Sequence, residues 1–375
     1  MLPHAFNRRH ILLGTGALLM SPTAMPARAA PNDWTTVAPA EAGFASDLPA
    51  RLDATIAAGK LPNLHGVVIA RGGKLVHERY VPGADIKWNK PLGMVAFGPD
   101  TLHDLRSVTK SVTCLIYGVA LAQGKVPPPE APLMAQFPEY PDLGADPARQ
   151  RITVGHALSM SMGTDWDEMS IPYTNPANSE IAMENAPDRY RFVLERPVVG
   201  EPGVRWTYCG GASALLGRLI AKGTGQSLPE FARTALFQPL GINDFEWIRG
   251  ADGTPSSASG LRLTPRDLTR IGQMVLQNGQ WNGHAVVPAA WIDAVSQERV
   301  RIDGPLRYGY QWYLGTLAGG GGRWLGAMGN GGQRLFVIPG LDLLLVTTFG
   351  NYDQPDQWKP PLALLLETVL PALRG

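Results

Sequence analysis

Cysteines and metal-binding patterns are both scarce in this sequence. Its 375 residues include only two cysteines, Cys114 and Cys209, which is too few for a disulfide framework. An oxidising compartment would permit one bridge, but we interpret them as two separate buried thiols. The histidines form no H-x-x-x-H or H-E-x-x-H pattern, so we expect no metal site and no cofactor.

Strongly charged segments are lacking as well. The formal net charge is +1, with no block of basic residues and no interleaving of basic and aromatic residues, so we expect no nucleic-acid partner. The G-x-S-x-G pattern is absent, which argues against an α/β-hydrolase. A phosphate-binding loop is not expected either, because no glycine-rich stretch has the required spacing to a lysine followed by serine or threonine.

The N-terminus carries an export pattern. Arg8 and Arg9 precede the apolar run 11–20, and Ala29 ends a small-residue cleavage pattern, so residues 1–29 are predicted to be a signal peptide. The stretch also resembles a twin-arginine signal, and both the general secretory route and the twin-arginine route stay open. The apolar run is too short to span a bilayer. We therefore predict a periplasmic or secreted protein without a membrane span in the mature chain.

Hydrophobic patterning divides the remaining chain into three segments. Residues 64–81 predict a β-hairpin that turns at a Gly-Gly pair. Further strands are predicted at 308–316, 323–328, 333–338 and 341–349. We predict an α+β fold in which residues 30–150 and 265–375 form one lobe, with a shared antiparallel sheet flanked by helices. Residues 151–264 form an inserted, mainly helical lobe, and the cleft between the lobes is the expected site.

A serine and a lysine stand three residues apart where a buried apolar helix is predicted to begin. Ser107 and Lys110 would lie on one face of that helix, and Ser107 is the only serine with a lysine three positions later. A desolvated lysine amine can take the proton from a serine hydroxyl and make it a nucleophile. For Lys110 this requires a pKa well below the usual value of about 10.4. The alternative is a chance S-x-x-K pattern.

Two further stretches could complete a site for acyl transfer. Tyr208 precedes a predicted helix and could act as a base, or as an acid for the leaving group. Residues 329–333, a glycine-rich stretch before a predicted strand, would let the backbone approach a ligand closely. The backbone N–H groups of Ser107 and Gln333 would then form an oxyanion hole. Taken separately, the tyrosine could be a core residue and the glycine-rich stretch a plain hairpin connection.

Together the three motifs resemble the serine β-lactamase and penicillin-binding-protein superfamily, in its class C-like branch of esterases, D-amino-acid peptidases and 6-aminohexanoate-dimer hydrolases. Their order is the same: S-x-x-K, then Y-x-N in the helical segment, then a K-T-G-type triad on a late strand. Similar flanking stretches are 105–111, 158–168, 236–241 and 308–312.

This resemblance implies a β-lactamase/transpeptidase-like fold. It also implies that Ser107 is acylated and that Lys110 and Tyr208 share proton transfer. The residues that it implies for the oxyanion hole and the substrate site are Asn330, Gly331, Gly332 and Gln333.

The sequence departs from the family pattern at three positions. Gly210 stands where the Y-x-N asparagine is expected, and Asn330 and Gly331 replace the lysine and threonine of K-T-G. The cationic and hydroxyl anchors for a β-lactam carboxylate are therefore missing. The glycines predict a roomier and less charged pocket, which suits esters or linear amides.

Trp312 and Asp165 are further candidates for contacts with substrate. Trp312 could line the cleft, with core packing as the alternative. Asp165 shares a loop with Asp167 and Glu168, and three acids on one loop are usually solvated or lie at the edge of a substrate site. A glycosidase built on these acids is a weaker interpretation.

The sequence thus predicts an exported serine hydrolase that cleaves a small-molecule carboxylic ester or linear amide through an acyl-enzyme on Ser107. Two alternatives stay open. One is a β-lactamase or D-alanyl-D-alanine carboxypeptidase, and the other is a non-catalytic periplasmic binding protein of the same fold. No oligomeric state is predicted.

Overall fold

The computed structural model describes residues 34–88, 90–318 and 322–374. The predicted signal peptide lies outside these residues. Within them, no helix is both long enough and apolar enough to cross a membrane.

One large antiparallel sheet contains most of the longer strands, and the others form small two- and three-stranded sheets. The strands of the described residues are β1 (Leu64–Arg71), β2 (Lys74–Tyr80), β3 (Gly83–Lys87), β4 (Lys90–Val95), β5 (His103–Asp104), β6 (Glu246–Trp247), β7 (Leu261–Leu263), β8 (Gln280–Trp281), β9 (His284–Ala285), β10 (Val300–Arg301), β11 (Arg307–Tyr308), β12 (Tyr313–Thr316), β13 (Arg323–Gly329), β14 (Gln333–Ile338) and β15 (Leu343–Phe349).

Helices cover both faces of the large sheet and make up most of the middle of the chain. They are α1 (Leu48–Ala57), α2 (Val108–Ala122), α3 (Pro141–Gly144), α4 (Pro147–Gln150), α5 (Val154–Leu158), α6 (Ser179–Asn185), α7 (Arg189–Leu194), α8 (Gly210–Thr224), α9 (Leu228–Ala232), α10 (Pro265–Leu276), α11 (Ala289–Val295) and α12 (Lys359–Ala363). Helices α9 and α12 continue into π-helical turns at Arg233–Phe237 and Leu364–Val369.

The large sheet joins the two ends of the chain. Its strand order is β10-β11-β12-β13-β14-β15-β1-β2, and β15 runs antiparallel to β1 with Val346 opposite Val68. The N-terminal and C-terminal segments therefore share one antiparallel sheet flanked by helices, and this part of the prediction is confirmed.

Strand β1 is apolar and buried almost throughout because both faces of the sheet are covered. Val67 and Ile69 belong to the apolar cluster that includes α1, whereas Val68 and Ala70 belong to the cluster that includes α2. Successive side chains of a strand point to opposite faces, so an uninterrupted apolar strand indicates a sheet covered on both sides.

Gly72 and Gly73 form the turn between β1 and β2, at φ 61° and 71°. Two-residue hairpin turns of type I′ need a positive φ at both central positions, which glycine adopts without strain. The predicted hairpin and its turn are confirmed.

Helix α2 is the central helix of the molecule. Every residue from Val108 to Ala120 is buried, and the helix packs between α8 and β13. Its apolar character on nearly every face has the predicted cause, since it is surrounded by other elements. Cys114 in α2 and Cys209 before α8 are buried free thiols, as predicted.

The strand predicted at 308–316 is interrupted between β11 and β12. Gln311 adopts a φ of 57° there, and its backbone N–H donates to the Leu158 carbonyl at 2.9 Å. Its side-chain amide donates to the Ala157 and Leu158 carbonyls, both at 3.1 Å. Gln311 thus ties the sheet to α5 in the helical segment, and this tertiary contact overrides the local strand pattern.

Candidate active site

Ser107 lies between β5 and α2, at the N-cap position of α2. Arg106 adopts a φ of 49°, which turns the chain from the strand into the helix. Serine is a preferred N-cap residue, but the Ser107 side chain makes no capping hydrogen bond. Its hydroxyl oxygen instead accepts a hydrogen bond from Lys110 Nζ at 3.0 Å. The structure therefore brings Ser107 and Lys110 together, one helical turn apart.

Lys110 is a buried cation, with a relative exposure of 2%. Its amine also donates to the Ala258 carbonyl at 3.1 Å. Burial has the largest single effect and lowers the Lys110 pKa, but nearby phenol and carboxyl groups together raise it above its usual value. These groups belong to Tyr208, Glu180 and Glu168. A Lys110 base requires a pKa well below the usual value, and the surroundings of Lys110 act in the opposite direction.

Tyr208 faces Lys110 from the loop before α8. The Lys110 Nζ atom lies 4.8 Å from the centre of the Tyr208 ring. Burial raises the pKa of the Tyr208 phenol despite the opposing effect of the Lys110 charge, so the phenol is neutral at neutral pH. The two groups interact closely enough to titrate as a pair. A base becomes available only when the pair loses one proton.

Two buried glutamates, Glu168 and Glu180, complete a charge cluster with Lys110. Glu168 Oε1 lies 3.9 Å from Lys110 Nζ and accepts a hydrogen bond from the Tyr173 hydroxyl at 3.0 Å. Burial and the charge of Glu180 raise the pKa of Glu168 well above its usual value. Burial also acts to raise the Glu180 pKa, but the charge of Lys110 and hydrogen bonds lower it overall. Of the two carboxyl groups, Glu180 is the one whose surroundings favour the charged form, and the charge of Lys110 is the main cause.

Gly210, the first residue of α8, adjoins both carboxyl groups. Its N–H donates to Glu168 Oε2 at 2.6 Å. A Cβ placed on Gly210 would lie 2.7 Å from Glu180 Oε2 and 3.1 Å from Glu168 Oε2. The two glutamates thus occupy the space that the asparagine of a Y-x-N motif would need. The expectation of a roomier and less charged pocket is wrong at this position.

The glycine-rich stretch connects β13 to β14 beside Ser107. Gly329 pairs with Gln333 across this connection. A Cβ on Gly329 would lie 2.3 Å from the Leu105 carbonyl oxygen and 3.2 Å from the Ser107 nitrogen, so only glycine lets β13 pass this close. The connection is a hairpin, and it also brings Gln333 close to the start of α2, where Ser107 lies. The backbone N–H groups of Ser107 and Gln333 are the two predicted donors of the oxyanion hole.

Side chains of the β13–β14 connection hold its backbone in place. The Gln333 amide donates to the Phe349 carbonyl at 2.7 Å and accepts from the Phe349 N–H at 3.0 Å. Asn330 exchanges two hydrogen bonds with Asp353, at 2.6 and 2.8 Å. Gly331 has a φ of 95°, and a Cβ there would lie 2.6 Å from Gln333 Nε2. This backbone has no room for the threonine of K-T-G.

A cleft of about 550 Å³ opens at Ser107. Glu180 and Asn330 both line it, so it receives residues from the helical segment and from the β13–β14 connection. Its other charged lining residues are Arg106, Glu184, Arg249 and Asp353. This volume is typical of sites for small molecules, and the lining carries charges of both signs.

Of the predicted substrate contacts, Asn330 lines this cleft, whereas Gly331, Gly332, Trp312 and Asp165 are not among its lining residues. Trp312 is fully buried within the main apolar cluster. Asp165 lies on the surface, where its carboxylate pairs with Arg196 at 3.2 Å. Glu168 is the acid of this loop that reaches the site. The prediction that the acids of this loop are solvated or lie at the edge of a substrate site is therefore wrong for Glu168. No motif pointed to Glu180, whose position depends on the packing of α6 against α8.

Comparison with known proteins agrees with this arrangement of motifs. The family model described as Beta-lactamase matches residues 53–361. The chain belongs to the Beta-lactamase family. Among its relatives, the 6-aminohexanoate-dimer hydrolase of Paenarthrobacter ureafaciens is 25% identical over 337 aligned positions, covering 82% of this chain and 79% of that protein. Esterase EstB of Burkholderia gladioli is 28% identical over 215 positions, covering 54% of this chain and 53% of that protein.

Solved structures show the same fold. EstCE1, a hydrolase with promiscuous acyltransferase activity, matches with a TM-score of 0.67 at 18% identity, covering 88% of this chain and 99% of that one. The predicted β-lactamase/transpeptidase-like fold is confirmed. Its membership and its hydrolase relatives make this Beta-lactamase family protein a serine hydrolase.

Proposed function

We propose that this Beta-lactamase family protein is an exported hydrolase that cleaves a carboxylic ester or a linear amide through an acyl-enzyme on Ser107. The observation that carries the proposal is the 3.0 Å hydrogen bond from Lys110 Nζ to a Ser107 hydroxyl that makes no cap contact. This hydroxyl opens onto the cleft. The relatives named as a 6-aminohexanoate-dimer hydrolase and an esterase support the reaction class.

In the acylation step, Ser107 Oγ attacks the substrate carbonyl carbon, and its proton passes to the Lys110–Tyr208 pair. The surroundings raise the pKa of both groups, so this step requires the form of the pair that lacks one proton. The N–H groups of Ser107 and Gln333 stabilise the negative charge that forms on the carbonyl oxygen. The pair then gives its proton to the leaving alcohol or amine. Water releases the acid from Ser107 by the same steps.

The structure of the β13–β14 connection favours a substrate that has no carboxylate group for the protein to anchor. Asn330 stands at the K-T-G lysine position and is bonded to Asp353. The next cation along the chain, Arg334, is buried and donates to the carbonyls of Gly329 and Gln333, at 2.7 and 2.8 Å. Its guanidinium therefore holds the backbone of the connection. A β-lactam carboxylate would find no lysine at its family position.

A fluorophosphonate probe tests this proposal. Intact mass spectrometry should show one adduct on the wild type and on Ser170→Ala, an exposed serine outside the cleft, but none on Ser107→Ala. Hydrolysis of a p-nitrophenyl ester should fall by about a thousandfold or more in Ser107→Ala alone. Unchanged turnover in Ser107→Ala would overturn the proposal.

Two further readouts separate the alternatives. Nitrocefin hydrolysis that outpaces ester hydrolysis would replace the proposed reaction with β-lactam hydrolysis. Thermal stabilisation by esters or amides, with neither an adduct nor turnover, would indicate a binding protein. We expect slow or undetectable nitrocefin turnover and a clear adduct.

Export rests on the sequence pattern of residues 1–29. Fractionation of the producing cells should recover a mature chain in the periplasm or medium, with an N-terminus near Ala30 by mass. Arg8→Lys with Arg9→Lys should block this only if export uses the twin-arginine route. An unprocessed chain confined to the cytoplasm would contradict export.

A further inference from the structure

Three side chains that play no part in the serine site meet in the interior near β5. His65 comes from β1, Asp85 from β3 and His103 from β5. Their relative exposures are 0%, 4% and 1%. They are 20 and 18 positions apart in sequence, so no local histidine pattern reveals them, and the expectation of no metal site rested on such patterns alone.

The donor atoms of this cluster are spaced for one metal ion. His65 Nδ1 and His103 Nε2 lie 2.9 Å apart and share a hydrogen bond, whose hydrogen a metal ion would replace, and these two nitrogens lie 4.0 and 3.9 Å from Asp85 Oδ1. The point equidistant from the corners of that triangle is about 2.1 Å from each atom, which matches the bond lengths of about 2.0–2.2 Å that zinc makes to histidine nitrogen and carboxylate oxygen.

Neighbouring groups orient two of the three donors. His103 Nδ1 lies 3.0 Å from the Asp104 carbonyl oxygen, so this nitrogen carries the hydrogen and Nε2 presents its lone pair to the cluster. Asp85 Oδ1 accepts a hydrogen bond from the Tyr352 hydroxyl at 3.0 Å. Histidine ligands of metals typically donate their second N–H to a carbonyl or carboxylate in this way.

The backbone also makes space for the His65 ring. A Cβ on Gly83 would lie 2.7 Å from His65 Nε2, and a Cβ on Gly350 would lie 2.7 Å from His65 Cε1. Phe97 stacks on the same ring, with 4.1 Å between the centroids. The imidazole is therefore held in one orientation before any ligand binds, which reduces the cost of binding.

The charge balance of the cluster also favours a cation. Within the described residues, the ion-pair contacts of Asp85 are with the two imidazoles and with no lysine or arginine. A buried carboxylate normally pairs with a cation or coordinates a metal. A divalent ion at this point would supply the missing positive charge.

We propose that His65, Asp85 and His103 bind one divalent transition-metal ion, and that zinc fits this set of two nitrogens and one carboxylate oxygen best. Water would take the fourth position, and the Tyr352 hydroxyl would keep its hydrogen bond to Asp85 Oδ1. The ion would link β1, β3 and β5. Its ligand on β5, His103, lies four residues before Ser107 in the sequence. Its role is structural, because Ser107, Lys110 and Tyr208 form the reacting group without it.

Cobalt and zinc titrations of the untagged, chelator-stripped protein test this proposal. One equivalent of Co²⁺ should produce the visible bands of a tetrahedral site, and Zn²⁺ should displace it. Zn²⁺ should also raise the midpoint of thermal unfolding, because a ligand that binds only the folded state stabilises that state. Absence of stoichiometric binding by the wild type would overturn the proposal, whatever the variants do.

Two variants assign the binding to the cluster. Asp85→Asn removes one charged ligand at nearly constant volume and should weaken Zn²⁺ binding by on the order of a hundredfold or more. His284→Gln changes an exposed histidine on β9 and should bind Zn²⁺ as the wild type does. Full-strength binding in Asp85→Asn, or loss of binding in His284→Gln, would place the ion on the surface and overturn the proposal.

Discussion

The two walls of the cleft act on Ser107 by different means. The helical wall contains a buried cluster of charged groups, in which Lys110 Nζ lies 3.9 Å from Glu168 Oε1 and Glu180 acts on Lys110 electrostatically. The wall formed by the β13–β14 connection is shaped by its backbone, and the Gln333 side chain turns into hydrogen bonds with Phe349. The first wall depends on protonation and the second on shape. Proton transfer and oxyanion stabilisation should therefore respond to different substitutions.

The largest effect is expected from Lys110→Met in the helical wall. Ester kcat/KM should fall by about a thousandfold to ten-thousandfold, because the proton acceptor is lost. The free energy of unfolding should fall by about 3–5 kcal/mol, because Glu180 remains as an uncompensated buried charge. Enzyme assays and urea unfolding measure the two effects. Lys60→Met is the control, since it removes only an exposed ion pair with Glu367. Activity within tenfold of the wild type would contradict the role of Lys110.

The second prediction restores the family asparagine by Gly210→Asn. The new side chain would collide with Glu180 and Glu168, so the free energy of unfolding should fall by about 1–3 kcal/mol, with a loss of ester turnover. Gly144→Asn is a control at a glycine that has open space around it. Adding Glu180→Ala to Gly210→Asn should recover part of the lost stability. Wild-type stability in Gly210→Asn alone would show that the glutamates move aside.

A substitution in the other wall, Gln333→Met, should act through shape alone. It leaves the Phe349 N–H and carbonyl groups buried without partners, which costs about 1–3 kcal/mol of unfolding free energy. We expect kcat to fall while the pH dependence of kcat/KM stays where it is in the wild type. Parallel pH–rate profiles of the two proteins measure this, and a displaced profile would link this wall to proton transfer after all.

The smallest effect is a displacement of the pH profile. Nearby negative groups raise the pKa of Lys110, and the base appears only when a proton leaves, so kcat/KM should increase as the pH rises above neutrality. Glu180→Gln removes one of these negative charges. The rising part of the profile should then move to lower pH by roughly one unit. A shift to higher pH would contradict the assignment of Glu180 as the counter-charge.

Local spacing was enough to predict part of the site. Ser107 and Lys110 are one helical turn apart, so any helix, buried or exposed, places them on one face. The Gly72–Gly73 turn and the strands on either side follow from residue type in the same way. The glycine-rich stretch 329–333 was predicted to let the backbone approach a ligand, whereas the close approach at Gly329 is to the Leu105 carbonyl oxygen and the Ser107 nitrogen.

Features that depend on distant residues could not be predicted. The direction of the Lys110 pKa shift follows from one phenol and two carboxyl groups that arrive from other segments. Glycine at position 210 suggested empty space, but α6 fills that space with Glu180. The break at Gln311 depends on carbonyl groups of α5. In each case the property depends on a contact between residues that are far apart in sequence. Sequence patterns describe only neighbouring residues and therefore miss such contacts.

The pairing of β1 with β15 has a consequence for how the chain folds as it is made. Leu64 lies opposite Phe349, so the inner edge of an early hairpin stays open until nearly the whole protein has left the ribosome. Sheets closed by such distant segments form slowly, and an apolar strand with an open edge is prone to aggregate. The β1–β2 hairpin therefore obtains its second neighbouring strand only late in synthesis, and a twin-arginine route, which exports folded proteins, would require β15 to dock before transport.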